Sequence, residues 1–137
     1  MEKTLVIIKP EGVKRGLVGE CISRFEKKGL AIKQLAVKQI PAELAKIHYA
    51  HLADKPFFQG IIDAFTASEV VLMILEGECA VAVVRKMIGA TNPLEAEPGT
   101  IRGDFGGALP YNIIHASDSV ESAEIEIKRF FSDSWQD

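Results

Sequence analysis

The sequence has few cysteines and none of the cysteine patterns that define a disulfide or metal scaffold. Among its 137 residues only Cys21 and Cys79 are cysteines, they lie far apart, and no CxxC pair occurs. Small disulfide-stabilised domains carry a much higher density of cysteine, so that class is excluded. Cys21 falls on the apolar stripe of a predicted helix, which indicates a buried, unreactive thiol.

Long hydrophobic runs and a large charge excess are also missing. The longest strongly apolar run covers residues 70–75, and Lys9 ends the apolar run at residues 4–8. A membrane span needs roughly 18 apolar residues and a secretory signal about 7–15, so we expect a cytoplasmic protein without membrane contact. The net charge of −3 predicts no nucleic-acid partner, since domains that bind nucleic acid through bulk charge are strongly basic. Composition alone even argues against a protein that handles phosphate groups.

The glycine-rich motifs that bind phosphate through the backbone are absent as well. The chain contains neither GxxxxGK[ST] nor GxGxxG, and it lacks the metal motif HExxH. These motifs work by bringing backbone N–H groups or paired histidines to the ligand. A phosphate site, if present, must therefore be built from side chains.

The elements that are present predict one small α+β domain spanning residues 1–137. Residues 4–8, 31–40, 70–76 and 112–115 have the apolar pattern of strands. Amphipathic helices are predicted between them, at residues 18–28, 41–52, 57–65 and 80–88, and a last helix runs to Phe131. Asp118 and Glu121 resemble a capping box at the start of that helix. The alternating order favours a ferredoxin-like split βαβ sandwich, with a four-stranded antiparallel sheet covered by helices.

A long loop interrupts this pattern. Residues 89–112 hold 5 of the 11 glycines and 3 of the 6 prolines. Loops longer than about 12–15 residues are uncommon in compact domains, and are usually functional or disordered. Phe105, Leu109 and Tyr111 provide apolar anchors, which favours a structured functional loop.

The three histidines differ in their surroundings. His48 and His51 are three apart on a predicted helix, but no third metal ligand is evident nearby, which favours a solvated or capping role. His115 follows an apolar strand just before a helix, where anions are favoured. A neutral imidazole there can attack phosphorus. A histidine hydrogen-bonded within the turn is the alternative, and His115 alone does not decide between them.

A phosphoryl-transferring histidine needs an orienting partner and nearby cations. Glu124 and Glu126 flank the apolar stripe of the last helix, and periodicity does not choose between them. Lys9 ends the first strand, Arg85 lies on the polar side of its helix, and Arg102 lies in the long loop. Each of these cations alone fits a solvated surface charge, but together with His115 they indicate a phosphate site.

Seven segments resemble the nucleoside diphosphate kinase family, in order, over nearly the whole chain. The most specific stretch runs from residue 98 to residue 127. The matching segments are KPEG (9–12), RGLVGE (15–20), HY with KPFF (48–49 and 55–58), TNP (91–93), PGTIRGDF (98–105) and NIIHASDSVESAEIEI (112–127).

The resemblance implies a Mg²⁺-dependent ping-pong reaction. The γ-phosphoryl group of ATP or another nucleoside triphosphate passes to Nδ1 of a histidine and then to a nucleoside diphosphate. The family's phosphorylated histidine falls on His115, and the pair that orients it falls on Ser117 and Glu126. Magnesium would be held mainly by the nucleotide phosphates, not by protein side chains. The remaining family positions fall on Lys9, Tyr49, Phe57, Arg85, Thr91, Arg102 and Asn112.

The implied roles of these positions agree with the physics of phosphoryl transfer. Arg85, Thr91 and Arg102 are implied to bind phosphates, while Lys9 and Asn112 also approach the sugar hydroxyl. Phe57 would stack on the base, and since every base has a π-face, this predicts broad base specificity. Tyr49 matches a site tyrosine.

Three positions depart from the family pattern. Glu11 replaces the usual Asp of K-P-D-G, Ala116 replaces the Gly after the histidine, and Tyr111 stands where a basic residue is common. If position 116 needs a positive φ, Ala116 would cost stability or shift His115. A homo-oligomer, tetrameric or hexameric, is expected, and the alternative function is a catalytically silent nucleotide-binding regulatory relative.

Overall fold

The structure is a computed structural model that describes residues 1–132. Residues 133–137, which belong to the predicted single domain, lie outside the described residues. Four strands are present: β1 (Glu2–Ile8), β2 (Ala31–Lys38), β3 (Val70–Gly77) and β4 (Ile114–Ala116). The α-helices are α1 (Pro10–Lys14), α2 (Val18–Lys28), α3 (Ala42–His48), α4 (Phe58–Thr66), α5 (Ala80–Ile88), α6 (Ile101–Phe105) and α7 (Val120–Phe131).

The four strands form one antiparallel sheet in the order β2-β3-β1-β4. Because β3 lies between β1 and β2, the connection from β1 to β2 crosses over a strand, which is the split βαβ arrangement. The predicted α+β sandwich with an antiparallel four-stranded sheet is confirmed.

Helices cover both faces of the sheet. One hydrophobic cluster joins β1 and β3 to α2 and α5 through residues such as Phe25 and Val84. The other cluster packs α3, α4 and α7 on the opposite face through Ile62, Phe65 and Phe130. The central strand β3 is therefore apolar on both sides, which is why residues 70–75 form a continuous run instead of alternating. No helix within residues 1–132 has the length and apolarity needed to cross a membrane.

Several predicted boundaries are wrong, each for a local reason. The predicted helix at 41–52 ends at His48, and a separate 3₁₀ turn, Ala50–Leu52, follows it. The last helix is capped by Ser119, not Asp118, since the Ser119 hydroxyl accepts a hydrogen bond from the Ser122 N–H. Helix α1 was not predicted at all.

The long loop is structured, as predicted. Residues 89–112 contain a 3₁₀ turn, Pro93–Glu95, and helix α6. The Asn92 side chain caps the turn and the Thr100 hydroxyl caps α6. Arg24 of α2 holds this loop from outside, through Asp104 at 2.8 Å and by lying over the Phe105 ring.

The strand that carries His115 begins two residues later than predicted. Ile113 has a φ of +69°, a left-handed conformation that cannot continue an extended strand. Strand β4 therefore starts at Ile114, which places His115 in its middle and not at its end. Helix α7 begins only at Val120, so His115 does not directly precede a helix N-terminus.

Candidate active site

A cavity of about 1390 Å³ collects side chains from distant parts of the chain. Nine of the ten predicted site residues line it; the tenth, Ser117, is fully buried and reaches the site only through Glu126. The nine are Lys9, Tyr49, Phe57, Arg85, Thr91, Arg102, Asn112, His115 and Glu126.

His115 is held by one carboxylate. Its Nε2 lies 2.9 Å from Glu126 Oε1, and the Ser117 hydroxyl donates to the same oxygen at 2.6 Å. Burial alone would raise the pKa of Glu126, but its contacts with His115 and Ser117 lower it overall. Because the carboxylate is ionised, Nε2 carries the ring proton, and a neutral His115 keeps its lone pair on Nδ1. Glu124 is exposed, so the structure selects Glu126 as the partner.

A second histidine packs against the first. The His48 ring lies edge-on to His115 with the centroids 4.7 Å apart, and Arg129 Nη1 lies 3.0 Å from His48 Nδ1. Burial and the charge of His115 lower the pKa of His48 to about 3, so it is neutral near pH 7. The solvated role predicted for His48 is wrong, because His48 faces the aromatic core and only His51 is exposed.

His48 belongs to a group of potential metal ligands that does not include His51. Ligand atoms of His48, His115 and Glu126 fall within 4.8 Å of one another. His115 and Glu126 bond to each other and Arg129 contacts His48. These polar atoms are thus engaged with protein partners.

Lys9 and Asn112 form a polar pair at the junction of β1 and α1. Lys9 Nζ donates to Asn112 Oδ1 at 2.6 Å, and Asn112 Nδ2 donates to the Thr91 carbonyl at 3.0 Å. Burial, followed by the charge of Arg102, lowers the pKa of Lys9 to about 8. Lys9 is therefore a cation near pH 7 that is readily neutralised in alkali.

Arg102 is both a cation and a structural clamp. It is only 3% exposed, and its guanidinium donates to three carbonyls, those of Asn112, Gly89 and Ile114. Burial and then the charge of Arg85 lower its pKa to about 10, so it keeps its charge near neutral pH. Arg102 thus ties the long loop and β4 to the end of α5.

The remaining predicted residues complete the cavity wall. Arg85 Nη1 donates to the Ala116 carbonyl at 3.2 Å. Phe57 stands at the N-cap position of α4, without a capping hydrogen bond from its side chain, and is 53% exposed at the cavity. Burial raises the pKa of Tyr49, which keeps its phenol protonated.

Ala116 does not have the positive φ that would make an alanine costly at this position. Among the described non-glycine residues only Cys79 and Ile113 have a positive φ. Ala116 is a buried residue of β4 opposite Val6. Its methyl group fits the extended backbone, so the departure from glycine does not displace His115. Tyr111 is exposed and lines the cavity.

Comparison with known proteins identifies the family. The family model described as nucleoside diphosphate kinase matches residues 2–135. The chain belongs to the nucleoside diphosphate kinase family. The nucleoside diphosphate kinase of Acetivibrio thermocellus is 57% identical, over 96% of this chain and 96% of that protein. The one of Archaeoglobus fulgidus is 55% identical, over 97% of this chain and 88% of that protein.

Solved structures of the family share the fold. The apo nucleoside diphosphate kinase of Encephalitozoon cuniculi superposes with a TM-score of 0.94 at 43% identity, covering all of this chain and 93% of that one. A halophilic nucleoside diphosphate kinase of Halobacterium salinarum, solved in complex with CDP, gives 0.93 at 46% identity, covering 96% and 88%. The predicted family, fold and enzyme class, a phosphotransferase, are confirmed.

Three polar residues that line the same cavity, His48, Arg129 and Glu11, are missing from the predicted set. His48 shares the buried face of α3 with Ala45, three residues earlier, which is a signal against solvation. Arg129 follows Glu126 by three residues, so the two lie on one face of α7. Glu11, noted only as a departure, contacts the backbone at Ile113.

Proposed function

We propose that His115 is the residue that accepts the phosphoryl group in a ping-pong nucleoside diphosphate kinase reaction. The observation that carries this proposal is the bond between His115 Nε2 and Glu126, because it leaves the lone pair on Nδ1. Nδ1 attacks the γ-phosphorus, the bond to the β,γ-bridging oxygen breaks, and the nucleoside diphosphate leaves with that electron pair. A β-phosphate oxygen of the second diphosphate then attacks the phosphorus, and the N–P bond breaks.

The cations of the cavity support binding of a triphosphate. Lys9, Arg85 and Arg102 all line it, and phosphoryl transfer relies mainly on positioning and on charge stabilisation. The guanidinium groups present paired donors that suit phosphate oxygens. We assign phosphate binding to Arg85, Thr91 and Arg102, sugar contacts to Lys9 and Asn112, and base stacking to Phe57.

Nucleotide kinases generally need a divalent cation, and we propose Mg²⁺. Among the carboxylates that line the cavity, Glu126 holds His115, Glu11 holds the Ile113 N–H, and Asp118 is exposed. This fits an ion that would be held mainly by phosphate oxygens. The ion would neutralise charge on the phosphates, while the residues of this chain orient the nucleotide and His115.

Labelling with [γ-³²P]ATP tests the proposal. After removal of nucleotide, wild type is expected to carry an acid-labile, base-stable label, and His115→Asn none. His51→Asn is the matched control and keeps the label, since His51 is exposed on the 3₁₀ turn. Folded wild type without label would exclude the reaction and favour the catalytically silent nucleotide-binding relative.

We also propose that the substrates are ATP and other nucleoside di- and triphosphates and that the protein is a homo-oligomer.

In residues 1–132, β2 is an edge strand paired with β3 alone, and it exposes Leu35 and Val37. Exposed apolar edges favour association with a further chain. Native mass spectrometry measures the mass of the assembly and checks this. We expect Leu35→Lys to shift the protein to assemblies of fewer subunits. Val120→Lys, on the exposed surface of α7, is the control and should leave the assembly mass unchanged. The cytoplasmic location stays a prediction.

A further inference from the structure

The backbone just before His115 is in a conformation that its own residue type disfavours. Ile113 is β-branched and fully buried, yet its φ is +69°. The Ile114 N–H donates to the Asn112 carbonyl at 2.7 Å, so residues 112–114 form a γ-turn of the strained kind. Such outliers persist only where the surroundings hold them, and they cluster at functional sites.

The KPEG segment holds this turn from both sides. The Lys9 N–H donates to the Ile113 carbonyl at 2.7 Å, and Glu11 Oε1 accepts from the Ile113 N–H at 2.9 Å. Both backbone polar groups of the strained residue are therefore bonded to the β1–α1 junction. The Glu11 carboxylate is the only one of these partners that a side-chain substitution can remove directly.

Gly12 lets the junction approach the turn closely. A Cβ at this position would lie 2.9 Å from Cγ2 of Ile113 and 3.3 Å from its carbonyl oxygen. Any other residue would therefore push the turn away from α1. In the KPEG segment, Glu11 thus accepts a hydrogen bond from the turn at residues 112–114, and Gly12 packs closely against the same turn.

The turn positions two groups of the proposed site. Asn112, at its start, bonds Lys9 Nζ through its side chain and Arg102 Nε through its carbonyl. His115 follows one residue after the turn and is aligned by β4. A change of φ at Ile113 would move both groups relative to Lys9 and Glu126.

We propose that Glu11 is a positioning residue for phosphoryl transfer, whose carboxylate oxygen holds the Ile113 N–H and so keeps the turn that aligns Asn112 and His115. The proposal rests on the function proposed above. The acceptor oxygen, not the negative charge, performs this role.

The first test compares Glu11→Ala, Glu11→Gln and wild type by single-turnover labelling of His115 with [γ-³²P]ATP. We expect Glu11→Ala to slow labelling by about 10–100-fold, because small misplacements of reacting groups cost that much. Glu11→Gln keeps an oxygen at the same reach and is expected to label at nearly the wild-type rate. Glu69→Ala, an exposed glutamate before β3, is the matched control and labels like wild type.

A double-mutant cycle with Ile113→Gly tests the link to the turn. Glycine adopts a positive φ without strain, so Glu11→Ala should slow labelling much less in the Ile113→Gly background. Thermal unfolding checks that each variant is folded. If Ile113→Gly does not fold, the comparison of Glu11→Ala with Glu11→Gln decides.

The outcomes separate this proposal from the proposed function. Unlabelled wild type would refute the function itself. If wild type is labelled and Glu11→Ala is labelled at the same rate, only the positioning role of Glu11 is refuted. Equal slowing by Glu11→Ala and Glu11→Gln would show that the charge acts and would overturn the proposal, as would equal effects of Glu11→Ala in both backgrounds.

Discussion

The imidazole of His48 lies edge-on to that of His115, with ring centroids 4.7 Å apart and ring planes at 84°. Helix α7 supplies a partner for each ring, Glu126 for His115 and Arg129 for His48. Phe65 and Phe130 complete the aromatic surroundings of His48. The ring of the proposed nucleophile is thus fixed by a carboxylate at one nitrogen and by a neutral ring at its side.

His48 makes the protein sensitive to acid. Its pKa is lowered from 6.5 to about 3 in the folded state. Between these pH values His48 binds more protons in the unfolded chain than in the folded protein. Its contribution to the free energy of unfolding is therefore fully present above pH 6.5 and is lost as the pH falls toward 3. His48→Phe removes this contribution. We expect the melting temperature of wild type to fall more steeply than that of the variant from pH 6.5 to 4, and parallel curves would contradict this.

Glu126→Gln should slow phosphorylation of His115 without unfolding the protein. The amide no longer provides a negative charge that keeps the proton on Nε2, so a fraction of His115 adopts the tautomer with a protonated Nδ1. We expect the labelling rate to drop by about 10²-fold. Glu124→Gln, two residues away and exposed, is the matched control and should label normally. Equal rates in the two variants would show that Glu126 does not orient the histidine.

Arg102→Lys should lose stability as well as activity. A lysine ammonium cannot reproduce the geometry of three bonds to the carbonyls of Gly89, Asn112 and Ile114. The Asn112 carbonyl keeps the Ile114 N–H as a donor, but the Gly89 or Ile114 carbonyl left without a donor costs about 1–3 kcal/mol. Denaturant unfolding should show a much larger loss for Arg102→Lys than for Arg85→Lys, because Arg85 contacts one carbonyl. Similar losses would argue against a clamp.

Nucleotide use should weaken in alkali because Lys9 loses its charge. Its pKa of about 8 lies below the ordinary 10.5, and kcat/KM reports the free enzyme. We expect kcat/KM to fall as the pH rises through about 8. Lys9→Arg stays charged and should shift this fall to higher pH, even if its basal rate is lower. An unshifted profile would assign the fall to another group.

Much of this protein could be predicted from local patterns. The sheet and the α2 and α5 helices follow from apolar periodicity, because burial of one face or both imposes a fixed spacing. The structured loop follows from its glycine and proline content and from its apolar anchors. Helix α1 was missed because five residues are too few to show a period. The break after His48 was missed because the 3₁₀ turn that follows it is a local change that periodicity does not resolve. The late start of β4 was missed because the positive φ at Ile113 is held by Lys9 and Glu11, from elsewhere in the chain.

The sequence by itself determined the family, the fold class and nine of the side chains that line the cavity, because motif residues keep their order and chemistry whatever surrounds them. Only the tertiary structure decided which of these residues lie together and which of them contact each other. Net charge is a sum over the chain, so it could not show that Lys9, Arg85 and Arg102 meet in one cavity. Likewise, the choice of Glu126 over Glu124, the burial of His48 and the bond from Ile113 to Glu11 depend on which segments the fold brings together, a property that no local pattern contains.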